Sequence, residues 1–435
     1  MASFNKNNYI VEKNNIKTKI SFVGLGKLGL PLATNFAKKG FNVLGIDLND
    51  SIISKLNNFE VPWIEPDLQL NIDKSKNNII YTTKYDKVYE SDVSIILVNT
   101  PANKKDGSFC NIYVEQSLIS LCNNFVKNGK NSHHFILSST VMPCSIKDIF
   151  IPLVESITGW TINKEFGFSY VPDFVAIGKI IRDFENPDFL LIGSSNSYYA
   201  DETEKIYQKI ITNKPEVCKL KLIEAELSKV SLNAFITTKI SFANYLGMLA
   251  EKIDPTINVD NITNTIGLDK RIGKMYLKSG GPYGGTCFSR DTWGFEKISQ
   301  NVGLTSYHML ANEKINNDII DKIYKNIIES SPNSIGFIGL GFKPGTTVVT
   351  ESLCVKLMKE LKNYSGKIFV YDKLDETFNN FCKEIDQDKM IFKCNSVNDL
   401  ISQSNVVVYC NDDSYEKPKM INSYKLKMID PWRTI

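Results

Sequence analysis

Short apolar runs alternate with helical stretches in the first half of the chain. Lys19–Val23 is short, mostly apolar and followed by glycines, which is typical of a buried parallel strand. A helical stretch from about Leu30 to Lys39 ends at a glycine, and Phe41–Ile46 is predicted as a second strand, which completes a βαβ unit. Further strands are predicted at Val93–Val98, Phe135–Ser138 and Phe189–Ile192. The pattern predicts a doubly wound α/β domain over residues 18–215.

The pattern changes in the middle of the chain. Apolar and small residues recur at helical spacing from Leu222 to Lys252 without proline, which predicts a helix well above the usual length of about 11–12 residues. More helical sequence continues to about Ser330, and Ile335–Gly341 then nearly repeats Ile20–Gly26. Two further strands are predicted at Lys367–Tyr371 and Val406–Tyr409, with helical sequence between them. We therefore predict an α/β fold with two Rossmann-like doubly wound domains joined by a long central helix and a helical linker domain. The predicted divisions are a polar tail over 1–17 and domains over 18–215, 216–330 and 331–435.

Composition and charge narrow the classes of partner. The 435 residues include 51 basic and 48 acidic side chains, which are well mixed and give a net charge of +3. Neither nucleic acid nor a membrane is therefore expected as a partner. The sequence contains no run of about 18 apolar residues, so no membrane span is expected. Nine dispersed cysteines without a CxxC pair are typical of reduced thiols, which favours the cytoplasm. Three histidines form no metal-like cluster, so no metal is expected.

Three glycines after the first strand form a GxGxxG pattern. Gly24 permits a tight turn, Gly26 allows a pyrophosphate to approach the backbone, and Gly29 allows close packing of helix on strand. Asp47 ends the second strand, where an acid accepts hydrogen bonds from the adenosine ribose and repels a 2′-phosphate. The alternative is a structural glycine turn beside an exposed acid. The context favours a dinucleotide site that prefers NAD to NADP.

Four glycines surround a single cysteine in the segment Ser279–Asp291. Cys287 is followed by Arg290 and Asp291, and a nucleophilic thiol gains from nearby positive charge and hydrogen-bond donors. Close approach of backbone to a ligand requires glycine. On this segment alone, a buried structural cysteine in a glycine-rich loop is an equally good interpretation.

The same segment resembles the catalytic loop of the UDP-glucose/GDP-mannose dehydrogenase family, whose pattern reads roughly GYGGxCFxKD. The resemblance extends from Ile20 to about Arg433 and includes several further motifs in the family's order. These motifs are Ser138–Pro143, Tyr170–Phe174, Asn186–Asp188, Glu226–Lys229, Asn233–Phe235, Gly267–Gly273, Gly339–Thr346 and Glu351–Ser352.

The resemblance implies roles for individual residues. Cys287 would be the nucleophile and Asp291 a base or a water-positioning acid, while Lys229 and Asn233, one helical turn apart, would stabilise the reacting oxygen. Two further positions near the catalytic water and cofactor are Thr140 and Asp173. The implied NAD contacts are Gly24, Gly26, Lys27, Leu28, Gly29, Asp47, Thr100, Pro101, Thr140 and Arg290. The implied substrate contacts are Phe174, Lys229, Asn233, Arg271, Tyr283, Gly284, Phe342 and Lys343, with Arg271 acting across a subunit interface.

Some residues have a simpler interpretation, and others depart from the family's pattern. Without the resemblance, Lys229 and Arg271 would be interpreted as surface cations and Asn233 as a polar helix residue. Departures occur at positions that surround the sugar and base in the family, which weakens any transfer of substrate identity. They are Ser138, Cys144, Asp173 in place of the more usual Glu, Ile177, Thr347, Val348 and Thr350.

The function implied by the resemblance is NAD-dependent oxidation of a nucleotide-sugar C6 alcohol to a carboxylate, through a covalent intermediate on Cys287. UDP-glucose is the first expectation for the substrate, with a UDP-N-acetylhexosamine or GDP-mannose as alternatives. A homodimer built on the long helix is expected. Two other classes remain: a nucleotide-binding homologue without catalysis, and a single-step β-hydroxyacid type of dehydrogenase, which needs neither Cys287 nor a third domain.

Overall fold

The computed structural model describes residues 18–103, 106–385, 390–413 and 426–433. The predicted polar tail, residues 1–17, lies outside the described residues. The chain divides into two compact units, one ending at Val230 and the other beginning at Ser231. The predicted division into three domains stays a prediction.

The first unit contains a mixed eight-stranded sheet. Its strands are β1 Lys19–Val23, β2 Asn42–Ile46, β3 Ile79–Thr82, β4 Val93–Ile96, β5 His133–Leu137, β6 Phe166–Tyr170, β7 Phe189–Ser194 and β8 Glu216–Lys221. Their order is β3-β2-β1-β4-β5-β6-β7-β8, and the pairing is parallel except between β6 and β7. The predicted doubly wound α/β fold is confirmed, because β1 lies centrally with the chain wound outward on both sides.

Helices cover both faces of this sheet. They are α1 Gly29–Lys38, α2 Asp50–Asn57, α3 Leu68–Ser75, α4 Ile112–Lys127, α5 Ile151–Thr158, α6 Ile180–Glu185 and α7 Ser197–Tyr207. A π-helical segment, Ile146–Phe150, leads into α5, and a short 3₁₀ turn covers Val88–Glu90. One core cluster includes Phe22, Phe36 and Tyr207, and another includes Phe125 and Phe168. Burial on both faces explains why central strands such as β1 and β4 are mostly apolar.

The long helix predicted from Leu222 to Lys252 is observed as α8, Leu222–Ile253, with 32 residues. The boundary between the two compact units falls within it. Lys229 therefore belongs to the first unit and Asn233 to the second, although one continuous helix carries both.

The second unit contains a smaller, parallel sheet. Its strands are β9 Ser334–Ile338, β10 Lys367–Tyr371, β11 Ile391–Lys393, β12 Val406–Tyr409 and β13 Lys427–Ile429. The order β11-β10-β9-β12-β13 repeats the order of the first five strands of the larger sheet. The repeat seen in the sequence therefore corresponds to a second Rossmann-like sheet. The helices are α9 Val259–Ile266, α10 Gly285–Asn301, α11 Tyr307–Ile328, α12 Leu353–Glu360, α13 Asp375–Glu384 and α14 Val397–Gln403, with a 3₁₀ turn at Leu361–Asn363.

Among the residues that the structure describes, no helix combines the length and the apolar character needed to cross a membrane. Within the same residues, no group of three or more histidine, cysteine or acidic side chains is arranged to hold a metal ion.

Candidate active site

The first glycine turn follows β1 in the first unit. Gly24 has a φ of +97°, and a Cβ there would lie 2.4 Å from the carbonyl oxygen of Leu97. A Cβ on Gly29 would lie 2.0 Å from the carbonyl oxygen of Gly24, so α1 packs directly on the turn. A Cβ on Gly26 would have no heavy atom within 4 Å. The space beside Gly26 is therefore open, as the approach of a pyrophosphate requires.

The start of α1 adds hydrogen-bond donors to this turn. No side chain caps the helix at Leu28, and the preceding Lys27 is exposed. The first N–H groups of a helix lack partners within the helix and are suited to an anion. Asp47 accepts from the N–H of Leu25 at 2.8 Å through Oδ2 and from the N–H of Asn49 at 2.9 Å through Oδ1. A carboxylate has about four acceptor positions, so Asp47 keeps capacity for a ribose.

Residues at the carboxyl ends of β4 and β5 are tied together. The Ser139 hydroxyl donates to the carbonyl of Val98 at 2.7 Å and accepts from the N–H of Val98 at 2.9 Å. The Thr100 hydroxyl donates to the carbonyl of Thr140 at 2.5 Å. Pro101 follows Thr100 and is exposed. The structure therefore brings Thr100 and Thr140, predicted near the cofactor, to the sheet edge where such folds bind ligands.

Lys229 is buried within the first unit, with only 7% of the residue exposed. Its Nζ donates to the backbone carbonyl of Asp173 at 2.6 Å and lies 4.5 Å from the centre of the Phe174 ring. The simpler interpretation of Lys229 as a surface cation is therefore wrong. The Lys229 ammonium therefore contacts two other predicted site residues, Asp173 and Phe174.

The Asp173 side chain has an unusual environment. Its Oδ2 atom is shielded from solvent and, among the described residues, has no hydrogen-bond partner. Burial raises the pKa of Asp173 to about 7, although the positive charge of Lys229 acts in the opposite direction. Burial raises the pKa of the Tyr207 hydroxyl, and the charge of Asp173 raises it further. A carboxyl group with a pKa near neutrality can both accept and release a proton.

Two buried carboxylates that were not predicted as site residues hold the loops beside these groups. Glu226 accepts from the N–H of Cys144 at 2.8 Å and from the N–H of Ile146 at 3.0 Å, just after Thr140 in the chain. Glu65 accepts from the N–H groups of Gly178 and Ile180, both at 2.9 Å, just after the segment of Asp173.

The sequence contains a signal for only one of these two carboxylates. Glu226 precedes Lys229 by three positions and Asn233 by seven, so all three lie on one helical face. That shared face could have marked Glu226 as part of the site. Glu65 lies 113 residues from Gly178, and nothing local in the sequence reveals their contact.

Cys287 lies in the first turn of α10, within the second unit. It is the exposed member of the nine cysteines, all of which lie in the described part of the chain and are free. The Thr286 hydroxyl is 3.8 Å from the Cys287 Sγ. The interpretation of Cys287 as a buried structural cysteine is therefore wrong. An exposed thiol at a helix N-terminus has the environment of a reactive cysteine.

The glycines before Cys287 are crowded by other segments of the second unit. A Cβ on Gly284 would lie 2.1 Å from the carbonyl oxygen of Glu351. Gly285 has a φ of +81°, and a Cβ there would lie 2.6 Å from the ring of Phe342. Both positions therefore require glycine for packing, and Gly285 also requires it for its backbone conformation.

Asp291 is fully buried and organises two neighbouring side chains. Its Oδ2 accepts from the amide Nδ2 of Asn233 at 2.5 Å, and its Oδ1 accepts from Nε of Arg290 at 2.8 Å. One hydrogen of the Asn233 amide is thereby directed to Asp291, and the amide carries a second hydrogen. The arrangement fixes the orientation of Asn233 on α8 and of Arg290 on α10.

The other predicted substrate residues occupy different environments in the second unit. Tyr283 is buried, and its hydroxyl donates to Glu313 Oε2 at 3.1 Å. Arg271 has 88% of its side chain exposed and forms an ion pair with Asp269 at 2.6 Å. Lys343 is half-buried, with Nζ 5.7 Å from the centre of the Phe342 ring. Gly284 thus belongs to the loop before Cys287 and Phe342 packs against Gly285, whereas Arg271 lies at the surface.

Comparisons with known proteins support the resemblance. Residues 18–211 match the model of the UDP-glucose/GDP-mannose dehydrogenase family NAD binding domain, and residues 223–318 match the family's central domain. A UDP-glucose 6-dehydrogenase of Rickettsia bellii is 30% identical over 376 residues, which are 83% of this chain and 83% of the relative. A GDP-mannose 6-dehydrogenase of Pseudomonas aeruginosa is 27% identical over 361 residues, covering 81% of this chain and 80% of the relative.

A solved structure shows the same fold. The UDP-glucose dehydrogenase from Pyrobaculum islandicum superposes with a TM-score of 0.86 at 24% sequence identity. The superposition covers 98% of this chain and 97% of the other.

Proposed function

Because the chain belongs to the UDP-glucose/GDP-mannose dehydrogenase family, we propose that it oxidises the C6 alcohol of a nucleotide sugar to a carboxylate, with NAD as oxidant. UDP-glucose is the first substrate to test, since the UDP-glucose 6-dehydrogenase of Rickettsia bellii reaches 30% identity. GDP-mannose and a UDP-N-acetylhexosamine are the alternatives. A nucleotide-binding homologue without catalysis is the other outcome, and the exposed Cys287 argues against it.

The first unit offers groups that fit NAD. The open space beside Gly26 and the uncapped start of α1 suit a pyrophosphate, and Asp47 has acceptor capacity for the ribose. The Asp47 carboxylate would also repel the additional 2′-phosphate of NADP. When bound, NAD supplies the acceptor for a hydride.

The exposed thiol of Cys287 is the observation that carries the proposal. The first two-electron oxidation converts the C6 alcohol to an aldehyde. The Cys287 Sγ then adds to the aldehyde carbon, which forms a C–S bond and leaves a hydroxyl on that carbon. A second two-electron oxidation gives a thioester. Water adds to the thioester, the C–S bond breaks, and the products are the carboxylate and the free thiol.

Other residues of the chain stabilise and deliver charge in these steps. Lys229 and Asn233 lie one turn apart on α8. The Lys229 ammonium and the second hydrogen of the Asn233 amide would donate to the oxyanion that develops at the reacting carbon. Asp173, whose pKa burial raises to about 7, would accept the proton of the attacking water. Thr140 would hold that water. Asp291 orients Asn233 and Arg290 through its two hydrogen bonds.

The nucleotide-sugar contacts proposed for this chain follow the family motifs. Lys343 and Arg271 would pair with the phosphates, and Phe342, Phe174 and Tyr283 would surround the sugar and its linkage. Arg271 is exposed and projects from the second unit, which suits contact with a substrate bound to a second copy of the chain.

A homodimer is part of the proposal. The second-unit portion of α8 presents exposed apolar side chains at positions separated by three, four and seven residues, which places them on one helical face. They are Phe235, Phe242, Tyr245, Leu249 and Ile253. An apolar stripe of this kind is suited to an interface. The nine free cysteines favour a reducing compartment, so we place the enzyme in the cytoplasm.

A panel of UDP- and GDP-sugars with NAD, followed by NADH absorbance, identifies the substrate. The covalent route requires two NADH for each sugar consumed, with one carboxylate formed and no aldehyde accumulating. Cys287→Ala should reduce acid formation by several orders of magnitude while still binding NAD and the nucleotide sugar, because the aldehyde is no longer held for the second oxidation. Cys218→Ala is the control, since Cys218 is half-buried in the first unit.

One NADH for each sugar, with release of aldehyde, would refute the covalent mechanism. A Cys287→Ala variant with the wild-type rate would do the same. Absence of NADH formation with every sugar, despite binding of NAD and nucleotide sugar, would instead support a homologue without catalysis.

A further inference from the structure

The loop before Cys287 has no regular secondary structure and is held by side chains from other segments of the second unit. Asn244 of α8 accepts from the N–H of Gly280 at 2.7 Å and donates to the carbonyl of Gly281 at 3.1 Å. Asn316 of α11 accepts from the N–H of Tyr283 at 2.8 Å and donates to its carbonyl at 3.2 Å. These hydrogen bonds hold the backbone of the loop. They do not cover the side of Gly280 and Gly281 on which a Cβ atom would lie.

That side is covered by the indole of Trp432. A Cβ on Gly280 would lie 2.7 Å from Cδ1 of the indole, and a Cβ on Gly281 would lie 2.2 Å from its Cζ2. The ring therefore packs directly against the backbone of the two glycines. Neither glycine could carry a side chain without displacing the ring, so the contact with Trp432 requires glycine at both positions.

The next residue, Arg433, fastens the same end of the loop. Its Nε and Nη2 donate to Oδ2 and Oδ1 of Asp260 at 3.0 and 2.7 Å, which is a bidentate pair. The same Nη2 donates to the carbonyl of Ser279 at 2.6 Å. The hydrogen bonds that the guanidinium donates lower the pKa of the Asp260 carboxyl group. Arg433 thus connects α9, the loop and the C-terminal segment in one geometry that a lysine could not reproduce.

The two residues are themselves held in place by a tight turn. The N–H of Trp432 donates to Asp430 Oδ1 at 3.1 Å, and the N–H of Arg433 donates to the carbonyl of Asp430 at 3.2 Å. Asp430 directly follows β13, which pairs with β12 in the second sheet. The second sheet therefore positions Trp432, and Trp432 in turn packs against the loop.

We propose that Trp432 and Arg433, which we call the C-terminal clamp, are positioning residues that hold the Ser279–Gly284 loop and thereby set the location of Cys287. The loop joins α10 at Gly285, two residues before Cys287, so a shift of the loop moves the thiol. The consequence for catalysis rests on the proposed function. The consequence for the loop does not, and it can be measured without any substrate.

The test compares Trp432→Ala, Trp432→Phe and Arg433→Lys with the full-length wild-type protein. Phe392→Ala is the matched control, because Phe392 is a partly exposed aromatic residue on β11, at the opposite edge of the same sheet. Amide hydrogen exchange is followed in peptides that cover the loop and in peptides from β9 and β12. For Trp432→Ala we expect exchange at least about tenfold faster in the loop and unchanged exchange in the strands, since local opening exposes only the released segment.

The kinetic measurement separates positioning from binding. We expect kcat of Trp432→Ala to fall about 10²-fold with a smaller change in KM, because misplacement of a reacting group by about 1 Å can cost that factor. Trp432→Phe keeps a ring over the glycines and should recover most of the loss, and Arg433→Lys should show an intermediate loss. If Trp432→Ala does not fold, the last two variants carry the test.

Unchanged exchange in the loop of the clamp variants would overturn the proposal. Equal acceleration in the loop and in the strands would also overturn it, since that result describes a general loss of stability. If the wild type oxidised no nucleotide sugar, the proposed function would fail, while the exchange measurement would still decide whether the clamp holds the loop.

Discussion

Replacement of Glu226 by glutamine tests how the first unit holds the turn after Thr140. The carboxylate is fully buried and accepts one backbone N–H through each oxygen, from Cys144 at 2.8 Å and from Ile146 at 3.0 Å. A carboxyl group keeps two oxygen acceptors whether or not it is ionised, whereas glutamine offers one carbonyl oxygen and one NH₂ group. One of the two N–H groups therefore loses its acceptor. A buried donor left without an acceptor costs about 1–3 kcal/mol.

The raised pKa of Glu226 determines how the effect of the substitution on the free energy of unfolding changes with pH. Burial raises the pKa of Glu226 from its ordinary value of 4.5 to about 7, although the two backbone N–H groups act in the opposite direction. At about 1.4 kcal/mol for each pKa unit, this corresponds to about 3 kcal/mol of stability that is present below pH 4.5 and lost as the pH rises to about 7. Glutamine does not ionise and contributes no such loss.

We therefore expect Glu226→Gln to be less stable than the wild type by about 1–3 kcal/mol at pH 4.5 and nearly as stable, or more stable, at pH 8. Urea unfolding at the two pH values gives the difference in the free energy of unfolding. Glu224→Gln is the control, because Glu224 lies two residues away on the same helix and is exposed. A difference between Glu226→Gln and wild type that does not change with pH would refute the reasoning.

Three further predictions concern the cofactor, acid stability and assembly. NAD should be preferred to NADP by at least about tenfold in steady-state kinetics, and Asp47→Ala should narrow the gap; equal use by the wild type would remove Asp47 from this role. Burial lowers the pKa of His134 from 6.5 to about 3, so the unfolded state binds the proton first and the free energy of unfolding should fall from pH 6.5 towards pH 3. Glutamine does not titrate, so the thermal unfolding of His134→Gln should depend less on pH in this range. Sedimentation at micromolar concentration should show a dimer that Phe242→Glu converts to a monomer, and a wild-type monomer would contradict the proposed interface.

The sequence predicts best those elements whose burial is continuous. Lys367–Tyr371 and Val406–Tyr409 were predicted with the bounds that the structure shows, because their apolar runs lie inside a parallel sheet. The apolar pattern does not predict the strand Ile79–Thr82, because it is an edge strand of four residues with alternating burial. The antiparallel pairing of Phe189–Ser194 with its neighbour was not predictable either, because strand direction depends on packing between distant segments.

Prediction of the site has a similar limit. A glycine motif and a cysteine loop are local patterns, and the structure gives their glycines the close contacts that such patterns imply. The contacts of Glu65 with Gly178 and of Arg433 with Asp260 span 113 and 173 residues, respectively. No local pattern encodes contacts of this range, so residues that act by holding a loop are found only when the fold is known.

The repeated glycine turn shows how far one local pattern can be carried. In both units the acid that ends the second strand, Asp47 or Asp372, accepts a backbone N–H of the turn at 2.8 Å, so the repeat correctly predicts the local fold. The space beside the two turns differs. A Cβ on Gly26 would meet no atom within 4 Å, whereas one on Gly341 would lie 2.7 Å from the carbonyl oxygen of Thr346. Because the chain's own backbone fills the second space, a pyrophosphate can approach the first turn in a way that the second turn does not allow.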